Sequence, residues 1–400
     1  MMTQLDNFGR SYLRLVLEID KHIDGYIDAY YGPEELKAAV QAGGRREPAA
    51  LIEDLAHLQA TIPTADPARH TYLAATLRAL DCTLRMLNGE AFAYLEEVNC
   101  LYDITPDRVD EAHFIAAHRE LDTLLPGSGS LNDRIEAYRR HYYLQREQIL
   151  PLLELARAET RQRTAAFVNL PEDESVEIRL TNNQPWGAYN WYLGHGRSLI
   201  EFNTDLPVSA LGLLSTFAHE GYPGHHSEAL LKEQRLYHEK GYAEQAAMLL
   251  NSPAAVIAEG IATTAIEIIF PSDSRHQWNV EVMLPAAGIE PVETAAEMAR
   301  MAQALKALRT VIGNAAILYH DGRHDREQTI DYIQTYGLAT LQRAEKNFSN
   351  LSHPLYGSYV FTYTEGYNLI EQAAPSGDKG EVFGRLLTEQ VLPSRLPVKG

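Results

Sequence analysis

Apolar residues recur every three or four positions along most of the chain, the spacing that buries one face of an α-helix. The segment SYLRLVLEIDKHIDGYIDAYYGP (11–33) is the first example, and Pro33 closes it. The same pattern predicts further helices over 50–62, 68–88, 107–124, 131–168, 207–221, 224–240, 253–270, 290–319, 325–337, 338–350 and 359–373. We therefore predict a mainly α fold.

The pattern changes to short alternating runs between residues 173 and 206. VEIRLT (176–181), GAYNWYL (187–193) and SLIEFN (198–203) are punctuated by Gly and Asn, which is typical of strands. We predict one small antiparallel sheet here, the only sheet that the sequence indicates. The change divides the chain into an N-terminal helical region, 1–170, and a second region, 171–400, although one continuous domain is also compatible.

Composition and charge exclude several classes of partner. The 400 residues carry a net charge of −19, so there is no basic surplus to neutralise phosphates or to bind anionic lipids. Cys82 and Cys100 lack a CxxC spacing and are predicted to be buried thiols. The N-terminal residues do not resemble a signal peptide, and no apolar run approaches ~18 residues. We expect a cytoplasmic protein without nucleic-acid or membrane partners; its oligomeric state stays open, a homodimer included.

The stretch TFAHEGYPGHHSEAL (216–230) concentrates groups that bind metals. In the HExxH motif, two histidines four positions apart bind zinc and the glutamate acts as general base. Here Pro223 occupies the position four after His219, so the simple motif is absent.

Helical geometry decides whether this cluster can still hold one ion. In an unbroken helix His225 would point about 120° away from His219, and His226 would lie roughly 10 Å further along. Pro223 lacks an N–H and Gly224 tolerates unusual backbone angles, so we predict a break that brings His225 to the second ligand position. His226 remains the alternative ligand. The competing interpretation is a helix end followed by a new helix with surface histidines.

A mononuclear site needs a third ligand, and Glu259 is the candidate. It lies in the otherwise apolar segment SPAAVIAEGIATTA (252–265), where an unpaired carboxylate is costly to bury. Local capping or a salt bridge is the alternative explanation. Gly260 and its small neighbours would let another helix approach closely. Glu267, two turns later, would accept a hydrogen bond from a ligand histidine and orient it, or be exposed.

Two histidines and one carboxylate with an open fourth position are the ligand set of catalytic zinc. Zinc lowers the pKa of its water toward ~7 and polarises a carbonyl, and Glu220 would take the water's proton. The residues therefore predict one divalent metal per chain, taken as zinc.

The motif His219-Glu220-x-x-Pro223-Gly224-His225-His226 resembles the signature of the bacterial family called domain of unknown function 885 (DUF885). HDGRHDREQTIDYI (320–333) and HPLYGSYVFTYTEGYNLI (353–370) resemble two further segments of that family. The resemblance covers about residues 180–375. It implies a fold similar to zincins of the carboxypeptidase Taq type and a metal-dependent peptidase, carboxypeptidase-like in activity.

The substrate side of such a site needs a hydrogen-bond donor for the developing oxyanion. The resemblance points to Tyr363 as a catalytic residue, with Tyr359, Tyr356 and His353 as further substrate-side candidates. The strand SLIEFN is expected to pair with an extended peptide, and Asn203 and the segment WGAYNWYLGHGR (186–197) are expected to line the cleft. His195 and Arg197 are candidates for binding a substrate carboxylate.

Two other functions remain open. Two histidines and one carboxylate also form the site of non-haem iron enzymes, although Glu220 has no evident role there. A non-catalytic helical binding protein with a structural metal is the third candidate, but structural zinc usually has four protein ligands, and neither cysteine is near the motif. We expect a peptide or small amide as substrate.

Overall fold

Helices make up most of the chain, so the predicted mainly α class is confirmed. The computed structural model describes residues 5–184, 186–354, 356–373 and 379–396. In the N-terminal part the helices are α1 Asn7–Asp20, α2 Glu34–Ala42, α3 Pro48–Ala60, α4 Pro67–Leu87, α5 Tyr94–Tyr102, α6 Glu111–Leu124, α7 Leu131–His141 and α8 Arg146–Ala165.

The remaining helices follow the motif region. They are α9 Ala210–Glu220, α10 His225–Lys232, α11 Pro253–Ile269, α12 Ser274–Trp278, α13 Leu284–Ala287, α14 Ala295–Ala307, α15 Val311–His320, α16 Arg326–Gly337, α17 Leu341–Leu351, α18 Val360–Ala373 and α19 Lys379–Thr388. A π-helical segment, Glu233–Glu239, continues α10.

Several predicted helices are shorter than their hydrophobic pattern. The predicted segment 131–168 is divided between α7 and α8, and 290–319 is divided between α14 and α15. The first helix ends at Asp20, not near residue 31, and Gly25 (φ +73°) follows in a turn. Because glycine takes positive φ without steric cost, the chain changes direction there, and the apolar residues beyond it form a strand.

The strands form two sheets. They are β1 Ile27–Tyr30, β2 Ser175–Thr181, β3 Ala188–Tyr192, β4 Arg197–Asn203 and β5 Ala247–Leu249. β1 pairs antiparallel with β5, so the expectation of a single sheet is wrong. Its sequence, IDAY, lies between Gly25 and Gly32, a spacing that is also typical of a short strand.

The three-stranded sheet has the order β2-β4-β3 and is mixed. β3 and β4 are antiparallel as predicted, but β2 is parallel to β4, from Ser175↔Arg197 to Thr181↔Asn203. The chain reverses after β2 and again after β3, and β4 lies between the two, so it runs in the direction of β2. β4, which holds SLIEFN, is paired on both sides, and the expectation that it offers an edge to a substrate is therefore wrong.

Hydrophobic clusters cross the predicted division at residue 170. One cluster joins residues of α1, α3 and α4 to residues 237–249, and another joins α8 to the mixed sheet, α9 and α11. Burial of this apolar surface fixes the N-terminal helices against the segments that carry the motif.

Helices α11 and α18 cross at a contact between two glycines. A Cβ on Gly260 would come within 2.7 Å of the Gly366 carbonyl oxygen, and a Cβ on Gly366 within 2.3 Å of the Val256 carbonyl oxygen. Since real Cβ atoms do not approach so closely, only glycine allows this crossing. The expectation that Gly260 admits a neighbouring helix is confirmed.

Two further expectations concern the thiols and the membrane. Both cysteines are free, as expected; Cys82 is buried, but Cys100 is only partly so. Among the described helices none is by itself long and apolar enough to cross a membrane. The helical stretches Pro253–Ile269 and Ser274–Ala287 are bent by 68° relative to each other, and together they meet the length and composition expected of a membrane span.

Candidate metal centre

A tight turn between α9 and α10 brings the first two candidate ligands together. The apolar face of α9, including Leu213, Leu214 and Phe217, is buried, and His219 and Glu220 form its last turn. The chain turns through Gly221–Gly224, with a cis peptide bond before Pro223, and α10 begins at His225. The rings of His219 and His225 lie 4.8 Å apart, nearly perpendicular at 88°. The predicted break in the helix is therefore present, as a junction of two helices.

Gly224 lets the two helices meet this closely. Its N–H donates to the carbonyl of Ala218 at 3.0 Å. A Cβ at this position would come within 1.9 Å of the His219 carbonyl oxygen and 2.5 Å of the Ala218 carbonyl oxygen. Any side chain here would separate the end of α9 from the start of α10.

Glu259 approaches both histidines from the middle of α11. Its Oε2 lies 3.5 Å from Nε2 of His219, and its Oε1 lies 3.9 Å from Nε2 of His225. The ligand atoms of the three residues all lie within 4.8 Å of one another. The structure thus brings together the three residues that the sequence indicated as ligands.

The donor set fits a divalent metal. Donors about 2.1 Å from one ion lie at most ~4.2 Å apart, so the separations of 3.5 and 3.9 Å suit a shared ion. Glu259 Oε2 is buried and has no hydrogen-bond partner among the described residues. An ion would satisfy this oxygen, which is otherwise costly to bury.

The electrostatics also favour a cation between these groups. Burial lowers the pKa of His219 well below its ordinary value, and the charge of His225 lowers it further. A neutral imidazole is the form that binds metals. Burial alone would lower the pKa of His225, but Glu259 and Glu220 outweigh this effect and raise it. His225 therefore lies in a field of negative charge.

Glu220, beside the ligands, is a buried carboxyl group. Burial raises its pKa to about 7, with opposing contributions from His225, which lowers it, and Glu259, which raises it. Its backbone carbonyl accepts a hydrogen bond from the Asn190 side chain. A pKa near neutrality suits a group that must both take and give a proton.

Two tyrosines lie against the ligand group: Tyr359 directly precedes α18, and Tyr363 is in its first turn. The Tyr359 hydroxyl donates to Glu259 Oε1 at 2.8 Å, so this residue holds the third ligand. The rings of Tyr363 and His219 are stacked, with their centroids 6.5 Å apart and an angle of 19° between their planes. Tyr363 is 44% exposed and lines both cavities. Tyr363 thus has a hydroxyl available to a substrate, while Tyr359 acts on a ligand.

The two alternative ligands lie elsewhere. His226 is fully buried, and its ring nitrogens bond Ser198 Oγ at 2.8 Å and Glu174 Oε2 at 3.0 Å. Glu267 bonds Lys306 Nζ at 2.8 Å and the Tyr367 hydroxyl at 3.0 Å. Neither residue belongs to the group around Glu259.

The other substrate-side candidates are dispersed. Arg197 is exposed at the start of β4, and Asn203 donates to the carbonyls of Gln184 and Trp186. His195 belongs to a separate group with Glu233 and His238, whose ligand atoms also lie within 4.8 Å of one another. None of the three candidates lines the cavities at the metal centre.

His353 does reach the metal centre's surroundings. It stacks on Tyr356 at 4.9 Å, and both residues line the first of the cavities described next. Residue 355, inside the same motif, lies outside the described residues.

Two cavities open onto the ligand group. The first has a volume of about 680 Å³ and is lined by all three candidate ligands and Glu220. The second, of about 1100 Å³, touches His219 and neither of the other two candidate ligands. His219, Asn350, Val360 and Tyr363 line both cavities, so the two adjoin at His219.

The segment 186–197, which was expected to line the cleft, does contribute Trp186, Tyr189, Asn190 and Tyr192 to the first cavity. Asp28 was not predicted from the sequence. Asp28 lies on β1 in the first cavity and accepts a hydrogen bond from the Tyr189 hydroxyl of β3. Burial raises its pKa, and it lies close enough to Glu220 and Glu259 to raise theirs. Gly25 and Gly32, which flank β1, were the signal for this strand in the sequence, but the helical spacing of the apolar residues around them obscured it.

The comparisons with known proteins are sparse. No family model and no curated protein matched the chain. The fold is similar to a crystal structure titled as that of "the putative lipoprotein from Colwellia psychrerythraea", with a TM-score of 0.53 and 15% sequence identity. The match covers 86% of this chain and 65% of that one, so this chain spans less than two thirds of that structure's length. This similarity concerns the fold alone.

Proposed function

We propose that this protein is a metal-dependent hydrolase of peptide or amide bonds, in which His219, His225 and Glu259 hold one divalent ion, expected to be zinc, and Glu220 is the general base. The observation that carries the proposal is the convergence of these three ligands beside a buried carboxyl group at the meeting point of two cavities. A peptidase related to DUF885, with carboxypeptidase-like activity, is the more specific form of the proposal.

The metal would supply an activated water and a polarised carbonyl. Glu220 would take the water's proton and pass it to the leaving amine, a role that its pKa of about 7 supports. The hydrogen bond of Asn190 to the Glu220 carbonyl would fix the backbone that carries this group.

The tyrosines would divide the supporting roles. The Tyr363 hydroxyl would donate to the substrate oxygen as it gains negative charge, because the residue faces the cleft and stacks on a ligand. Tyr359 would fix the orientation of Glu259 through its hydrogen bond.

Metal analysis with a peptide assay tests this function. We expect purified wild-type protein to bind one zinc in the His219 group and to release amino acids or shorter peptides from a mixed peptide library. The H219A variant should lose this zinc. The H113A variant, which removes an exposed histidine of α6, should retain it.

The Glu220→Gln variant tests the proton transfer. It should retain the metal and lose at least about 100-fold in rate, the order of general-base contributions. Full activity of this variant would remove Glu220 from the mechanism. If the purified protein contains iron instead of zinc and does not hydrolyse peptides, the non-haem iron alternative is favoured.

A further inference from the structure

The two cavities that meet at the metal centre carry opposite charge. The first is lined by five acidic residues and one lysine: Asp28, Glu220, Glu228, Glu244, Glu259 and Lys232. The second is lined by five basic residues and one glutamate: Arg139, Arg275, Lys306, Arg309, Arg343 and Glu267. A substrate that spans the ligand group would therefore meet a negative field at one end and a positive field at the other.

Ion pairs within the protein neutralise only part of these charges. In the first cavity Glu228 pairs with Lys232 at 2.5 Å and Glu244 pairs with Arg69 at 2.8 Å, so Asp28, Glu220 and Glu259 account for its negative charge.

The second cavity keeps more of its charge. There Lys306 pairs with Glu267 at 2.8 Å, and Arg139 pairs with Glu136 at 2.5 Å. In the described part of the chain, no carboxylate lies within ion-pair distance of Arg275, Arg309 or Arg343. Three arginines thus face this cavity without a partner of opposite charge.

Arg309 lines the second cavity together with His219, and its charge reaches that histidine. Partial removal from water lowers the pKa of Arg309, and the positive charge of Arg275 lowers it further. Two neighbouring guanidinium groups repel each other, and an anion bound between them would relieve this repulsion. The planar guanidinium matches a carboxylate in a bidentate geometry.

The first cavity is unsuitable for the same anion. Asp28, Glu220 and Glu259 all line it, and the negative charge of Asp28 reaches both glutamates. A carboxylate placed there would add to this repulsion. The charge distribution therefore fixes one direction of binding past His219.

We propose that the substrate is a short peptide with a free C-terminal carboxylate, which Arg309 binds with Arg275 in the second cavity while the preceding residues occupy the first. This inference rests on the proposed function of the same site. It assigns carboxylate recognition to these two arginines and not to His195 or Arg197, which lie outside both cavities.

The experiment compares free acids with their amides. The probes are tripeptides Ala-Xaa-Ala, as free acids and as matched C-terminal amides. Binding is measured by calorimetry with the zinc-loaded E220Q protein, and hydrolysis is measured with wild-type protein. We expect the acids to bind about 10- to 100-fold more tightly than the amides, the contribution typical of a charged hydrogen-bonded pair.

Arginine variants assign the preference. R309M should bring acids and amides to within about twofold of each other, and R275Q should reduce the preference in the same direction. The control is R300Q, which changes an exposed arginine of α14 that pairs with Glu120 of α6. It should leave the preference unchanged. Thermal midpoints close to that of wild type would establish that the variants fold.

Equal binding of acids and amides, or a preference that survives both R309M and R275Q, overturns the inference. The two proposals fail separately. Acid-selective binding that depends on Arg309, without any hydrolysis, would overturn the peptidase function and retain the carboxylate site. Hydrolysis of acids and amides at equal rates would retain the function and overturn the carboxylate site.

Discussion

Gly224 lies so close to His219 that a Cβ on residue 224 would come within 1.9 Å of the histidine's carbonyl oxygen. This contact joins the end of α9 to the start of α10 and sets the distance between two candidate ligands. A backbone contact, and not a side-chain contact, therefore holds the two imidazoles together.

Substitution of Gly224 by alanine should separate these helices. We expect the unfolding free energy of G224A to fall by roughly 1–3 kcal/mol and metal affinity to fall by about 100-fold. Zinc titration against a competing chelator and urea denaturation measure the two effects. G212A is the control, because a Cβ at that α9 position meets nothing within 4 Å. Wild-type metal affinity in G224A would contradict the role of the turn.

The crossing of α11 and α18 predicts a second glycine effect. In G366A the new methyl group would meet the Val256 carbonyl and the backbone of Gly260, so α18 must shift outward with both tyrosines. We expect a loss of roughly 1–3 kcal/mol in stability and a lower rate of hydrolysis. G384A on α19, where a Cβ has open space, should leave the rate unchanged and should not lower the stability, since alanine favours a helix over glycine. Thermal midpoints and rates measured on both variants decide the matter.

Tyr359 and Tyr363 should affect different quantities when each is changed to phenylalanine. Y359F removes the hydroxyl that bonds Glu259, so metal affinity should fall by about 10- to 100-fold. Y363F removes a group that bonds none of the ligands, so metal affinity should stay constant while the rate falls by about 100-fold. Chelator competition and initial rates at saturating zinc separate the two effects. A loss of metal affinity in Y363F alone would reverse the assignment.

Glu174 predicts a pH dependence of stability. Burial would raise its pKa, but hydrogen bonds from His226, Tyr222 and Arg161 outweigh that effect and lower the pKa to about 2. A carboxylate with a depressed folded-state pKa stabilises the fold above its ordinary pKa, and this contribution is lost as pH falls through the folded-state value. Wild-type protein should therefore be more stable than E174Q above about pH 4.5, and this difference in stability should disappear as the pH falls from about 4.5 to about 2.

Thermal midpoints of wild type and E174Q, measured between pH 6 and pH 2.5, test this dependence. The advantage of wild type should be constant from pH 6 to pH 5 and shrink below the ordinary pKa of 4.5. E177Q is the matched control, because Glu177 is an exposed neighbour on β2. A difference between wild type and E174Q that stays constant down to pH 2.5 would show that the carboxylate's charge is not what stabilises this site.

The sequence by itself determined the helical class and the three candidate ligands. Its 3.6-residue spacing reflects one buried face per helix, which is a local property. A proline and a glycine between His219 and His225 predicted a break, because both residues act on their own backbone. Glu259 was recognisable because a charged group in an apolar helix needs a partner.

The tertiary structure alone decided what surrounds these ligands. Asp28 is almost two hundred residues from Glu220 in the chain and reaches the cavity only because β1 pairs with β5. The parallel pairing of β2 with β4, the bonds that occupy His226 and the cluster of arginines opposite the acidic cavity also depend on segments distant in sequence. Long-range packing selects such contacts from many arrangements with similar local energies, so a periodic pattern along the chain does not specify them.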